Sequence, residues 1–271
     1  MARLSYIFYI YIKANASHSV MKFSKAIDEI NAIRRSLPLH LSSHFPANTD
    51  DQTWEQQYTW VPFQRYLIGQ AIDFMQLSIA RILAISKQTK ADESQRYRTL
   101  ASDAAVRILQ SYVGEHPREY KLIWISSASA VASGIYLALE YLMPHEPSSS
   151  DISERLSLIR SAAQGLRRNS FVTVHAAKGS AVLDRLLLLC SQRQPSSGSP
   201  SPSLAVILSQ LTGRSQDNAR AQGQAVDLDG MDPEQLLSFA MWPPAAYEQD
   251  MQGQGEFDDL FSAEWDSIMM S

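Results

Sequence analysis

Between Glu256 and Met270 the sequence sets Phe257, Leu260, Phe261, Trp265, Ile268 and Met269 at three- and four-residue spacing, which gathers them on one helical face. Asp258, Asp259, Glu264 and Asp266 flank or oppose that face. The chemistry open to such a pattern is recognition rather than bond-making. Repulsion among the carboxylates keeps the segment solvated, so its bulky apolar side chains stay available to fold into the groove of a partner protein. From Asp227 onward there are 11 acidic residues and no lysine or arginine, so the segment cannot neutralise itself. Upstream, Met231, Leu236, Leu237, Phe239, Met241 and Trp242 beside Asp227, Asp229, Asp232 and Glu234 repeat the pattern more weakly. The competing reading is a C-terminal helix laid against the rest of the chain, which holds 17 of the 28 acids and all 24 bases and so carries about +7.

Bond-making constellations are sparse. Ser19 and Lys22 have the serine-x-x-lysine spacing of some acyl-transfer enzymes, without the companion motifs that such chemistry requires. Asp50, Asp51 and Glu55 form an acidic cluster of the kind that holds magnesium and a diphosphate in helical terpene-cyclising enzymes, but no second cluster stands opposite it. His40 and His44 are four apart, yet Pro38 and Pro46 bracket them in a loop, where the two rings do not share a helical face. There is no phosphate-binding glycine loop, nucleophile elbow or dinucleotide fingerprint, and no cofactor or metal is expected. Cys190 is the single cysteine, which excludes an internal disulfide and points to a reducing compartment. Leu183, Leu186 and Leu187 match a short leucine docking motif, which any leucine-rich core helix also produces.

The elements that position these residues read as helices throughout. Glycine and proline are scarce before residue 190, and the periodicity is that of helices. One helical pair is predicted over residues 3–16 and 19–36, the second presenting Val20, Phe23, Ile27, Ile30, Ile33 and Leu37. A long helix follows over residues 58–87, apolar on nearly every face from Ala71 to Ile85 and broken only by Asp73, Gln76, Ser78 and Arg81, which makes it central. The next spans residues 92–113 and closes at Gly114, and another runs from Pro117 to Met143. Its charge-free stretch from Leu122 to Leu139 is long enough to consider for a membrane span. Its serines, and the row Ser126, Ala130, Gly134 and Ala138, instead describe a buried helix that lets another approach closely. Leu4 to Ile12, which precedes Ala14-Asn15-Ala16, is too short and tyrosine-rich for a secretory signal. Asp151 or Ser153 caps a helix carrying Ile152, Leu156, Ile159 and Leu166, and a last helix holds Val182, Leu183 and Leu186 to Leu189. The expectation is an all-α protein, an irregular multi-helix bundle over residues 1–190, then a disordered serine- and proline-rich linker over 191–226 and a largely disordered acidic tail over 227–271.

Leu4-Ser-Tyr-Ile-Phe-Tyr-Ile-Tyr-Ile12, the helix ending in Leu37-Pro38-Leu39-His40-Leu41, Trp60, and Gln64-Arg65-Tyr66-Leu67 at the start of the long helix together resemble the regulatory region of fungal zinc binuclear cluster transcription factors. The resemblance covers residues 1–190. It implies an all-helical regulatory domain that controls activity and in some members binds small effectors, followed by an acidic activation tail. The six-cysteine zinc cluster of that family is absent, so neither zinc nor base-specific DNA contact is carried over, and the family's histidine-arginine-proline signature is replaced by Arg81-Ile-Leu-Ala-Ile85. Transcription machinery or a coactivator is the implied partner, with dimerisation through the bundle, no direct DNA contact, no membrane, and the nucleus as location. A helical terpene-cyclising enzyme and a small-molecule sensor domain are the other readings.

Overall fold

The computed structural model describes residues 20–42, 53, 55–86, 88–142, 149–169 and 174–192. Every regular element among them is helical and none is a strand, so the all-α class is established. Helix α1, Val20–Ser36, buries Phe23, Ile27, Ile30 and Ile33, the stripe its spacing predicts, and carries Arg34 and Arg35 in its last turn, where cations complement the helix dipole. The chain then makes a 3-10 turn, Leu39–Leu41. Helix α2, Val61–Ile85, opens with Pro62, whose missing N–H has no helical acceptor at that position. Helix α3, Ala91–Val113, has Asp92 and Glu93 in its first turn and closes on Gly114, whose amide donates to the Gln110 carbonyl at 2.8 Å.

The helix expected from Pro117 to Met143 is divided. A short α4, Arg118–Lys121, precedes α5, Trp124–Leu142, with a break at Leu122 and Ile123. Side chains satisfy the carbonyls freed by the break: the Ser126 hydroxyl donates to the Tyr120 carbonyl at 3.1 Å and Ser127 to that of Lys121 at 3.4 Å. Hydroxyls that bond nearby backbone compete with the helical ladder, and two in succession favour the break. Helix α6, Ser149–Arg168, begins two residues before Asp151, the first predicted cap, and α7 spans Val174–Gln192. Ile159, Leu166, Leu183 and Leu186 are fully buried, so the leucine motif of α7 is core. Helix α7 runs through Ser191 and Gln192, two residues past the expected start of the linker, and the helix predicted over residues 3–16, the rest of the linker and the acidic tail lie outside the described residues.

Packing follows chain order at first and then closes. Helix α2 lies between α1 and α3; α3 also packs on α5 and α6, and α5, α6 and α7 contact one another. Matched steps along α1 and α3, from the Ser24–Tyr97 hydroxyl pair to Arg34 and Arg107, show these two helices running parallel on either side of α2. Helices α5 and α7 approach closely. A Cβ on Gly134 would lie 2.8 Å from a Leu183 methyl, and one on Gly179 would fall inside a Val131 methyl. Each helix thus seats a branched side chain on a glycine of the other, the close approach that the small-residue row of α5 predicts. Helices α2 and α5 are long and apolar enough to cross a membrane by length and composition, and 56% and 67% of their most apolar windows are buried inside the bundle. Their role as core helices supplies a physical reason for that hydropathy.

Candidate functional site

Phe257, Leu260, Phe261, Trp265, Ile268 and Met269 lie outside the described residues, as do Asp50, Asp51, Ser19 and His44. Of the catalytic candidates that are described, Lys22 is exposed on α1. Glu55 is bound to the guanidinium of Arg65, whose Nε donates to the His40 carbonyl at 2.8 Å. Among the described residues no three histidine, cysteine or acidic side chains come together as a metal site would require. The polar arrangements the structure does build are different ones, at the centre of α2 and at the end of the bundle where α2 begins.

Asp73 and Gln76, one turn apart on α2, are 9% and 3% exposed. Arg34 of α1 donates from Nη2 to Asp73 Oδ1 at 2.6 Å and to Gln76 Oε1 at 2.7 Å. Arg107 of α3 reaches the same two oxygens from the other side, Nε to Asp73 Oδ1 at 2.9 Å and Nη2 to Gln76 Oε1 at 3.1 Å. Two cations thus share one carboxylate oxygen and one amide oxygen, and three helices are tied at a single level. The helix spacing explains why: positions 73 and 76 lie on the face of α2 that looks out between its two parallel neighbours. In sequence, Asp73 and Gln76 register only as interruptions of an apolar helix and Arg34 as half of a basic pair. Their i, i+3 spacing is the one local signal that they act together.

At the bundle end where α2 begins, aromatic rings collect. Tyr66 lies edge-on to His116 with centroids 4.9 Å apart and 5.5 Å from Tyr120, and Phe63 is 4.8 Å from Tyr120. A polar ladder runs inward along α5: Ser129 donates to Gln70 Oε1 at 2.9 Å, Gln70 donates to the Ile108 carbonyl at 3.3 Å, and Ser133 donates to the Ser129 carbonyl at 2.7 Å. Asn169 donates to the Tyr112 hydroxyl at 3.4 Å. The Tyr66 hydroxyl is buried with no acceptor or donor in bonding range among the described residues. Burial pushes its phenol up to about 12, Ser126 nearby easing and Tyr112 reinforcing the shift. Burial, helped by Lys121, holds the His116 imidazole below the usual histidine range. A neutral phenol beside a neutral imidazole offers hydrogen bonds near neutral pH rather than proton transfer. Exposed Trp60, in edge contact with Tyr58 at 6.3 Å, begins α2 at this end, where exposed Trp124 also begins α5.

Tyr66 gives a direct test of this end. Its folded phenol ionises near 12 and its unfolded phenol near 10, so the stability difference is fully present below pH 10 and is lost as pH climbs to 12, by about 2 kcal/mol. Tyr66→Phe removes both the titration and an unpaired buried hydroxyl. It is expected to raise the melting midpoint modestly at pH 7 and to flatten the alkaline limb of a stability profile. An unchanged alkaline limb would contradict the placement of that hydroxyl. In comparisons with protein-family models, with curated proteins and with solved structures, nothing matches the chain.

Proposed function

We propose that the protein is a regulatory interaction protein of transcription, a helical body followed by an acidic segment that recruits a coactivator or the transcription machinery through Phe257, Leu260, Phe261, Trp265, Ile268 and Met269. The observation that carries this reading is the charge division of the chain: 11 acids without a single base from Asp227 onward, interleaved with aromatic and aliphatic residues at helical spacing. Such a segment is kept from collapse by its own charge and gains apolar burial by folding on a partner. The likeness of residues 1–190 to the regulatory region of fungal zinc binuclear cluster factors supports the same reading and gives the nucleus as its place of action. None of these residues forms a zinc cluster, so no DNA contact is assigned to them, and dimerisation through the bundle belongs to the same reading.

Fusing residues 227–271 to an unrelated DNA-binding domain is expected to activate a reporter, and replacing Phe257, Leu260, Phe261 and Trp265 with alanine to abolish that activation. An inert fusion, or one indifferent to the four replacements, sinks the reading. The sensor reading is favoured by one separate observation, the excess of cations over Asp73. For a terpene-cyclising enzyme nothing comparable speaks, since Glu55 is already engaged by Arg65.

A further inference from the structure

We propose that the outward faces of Arg34 and Arg107 bind the carboxylate or phosphate group of a small ligand, seated beside Gly69 on the groove side of α2. The inference does not depend on the acidic segment. Two guanidiniums meet one carboxylate, and the second acceptor they share, Gln76, is neutral, so the cluster keeps an uncancelled positive charge. Neutralising Asp73 requires only one arginine. Each guanidinium has five N–H donors. Arg34 spends Nη2 alone and Arg107 spends Nε and Nη2, and Nη1 of both, with Nε of Arg34, has no acceptor among the described residues. The side chains are 33% and 37% exposed, accessible to a ligand yet far enough from bulk water for a charge-assisted contact to count.

The floor beside them is open. Gly69 precedes Asp73 by one turn and shares its face of α2, and a Cβ placed on Gly69 meets nothing within 4 Å. Helix α1 stops at Ser36, two residues after Arg34, and the Leu39–Leu41 turn takes its place against α2, its His40 carbonyl accepting from Arg65 one turn before Gly69. Planar forks converging beside an unfilled space suit an oxyanion that accepts pairs of N–H bonds, which a carboxylate and a phosphate both do.

The test is thermal melting of the full chain with phosphate or malonate titrated against chloride at matched ionic strength. A saturating rise in the melting midpoint is expected with one or both anions, and the stronger one identifies the preferred group. Gly69→Ala fills part of the space without charge and is expected to keep the response. Gly69→Glu supplies a tethered carboxylate beside the two arginines, and its response is expected to vanish from an already raised baseline. Arg107→Gln is expected to weaken the apparent affinity about tenfold, as for loss of one charge-assisted contact. No saturable rise over chloride overturns the proposal, and so does a rise that survives both Arg107→Gln and Gly69→Glu.

Discussion

Asp73→Ala is expected to destabilise the bundle by about 2–4 kcal/mol, lowering the melting midpoint on the order of 10 °C, because it removes the single anion under two arginines. Loss of one partner of a buried pair costs about 3–5 kcal/mol, and the partial exposure of both guanidiniums reduces this. The penalty is that of leaving charge unpaired, not the net worth of the contact. A triple change, Asp73→Leu with Arg34→Met and Arg107→Met, is therefore expected to recover most of the loss. Denaturant melts of the single and triple variants separate these terms. Equal destabilisation in both would mean that the network itself, rather than charge balance, supplies the stability.

Gly179→Ala is expected to destabilise by about 2 kcal/mol although alanine is the better helix former, because the added methyl falls on the buried Val131 side chain. Val131 cannot swing away as the tip of a long side chain could, since its methyls branch directly from Cβ. Helices α5 and α7 must then separate. Val131→Ala in the same chain is expected to return a large part of the loss, a coupling that a double-mutant cycle reads directly. The same glycine-to-alanine change at Gly69, which faces open space, is expected to stabilise by about 1 kcal/mol through helix propensity alone. Opposite signs for one substitution at two helical glycines test the packing with little ambiguity, and matching signs would refute the close approach of α5 and α7.

The helical body was largely legible from periodicity. The buried face of α1, the limits of α3 and the core leucines of α7 follow from three- and four-residue spacing, because each helix had to hide a stripe of side chains. The division of α4 from α5 escaped the same reasoning. Hydropathy is continuous across Leu122 and Ile123, and only the hydroxyls of Ser126 and Ser127, which look like ordinary small core residues in a linear reading, reveal the competition that breaks the helix. The row Ser126, Ala130, Gly134 and Ala138 was readable as a close-packing surface, but not its partner α7. Likewise Arg34, Asp73 and Arg107 lie on three successive helices, and their convergence depends on how those helices are rotated against one another. No local pattern encodes that rotation. The aromatic face from Phe257 to Met269 remains a reading of sequence, since it falls outside the described residues.

The reciprocal seats on Gly134 and Gly179 make α7 a keyed part. To slide lengthwise or roll, it would have to lift both Leu183 and Val131 out of their notches at once. Any tug on the chain beyond Gln192 would therefore be felt as shear along α5, and from there through Ser129 and Gln70 at the bundle's middle helix, rather than being absorbed by a loose last helix.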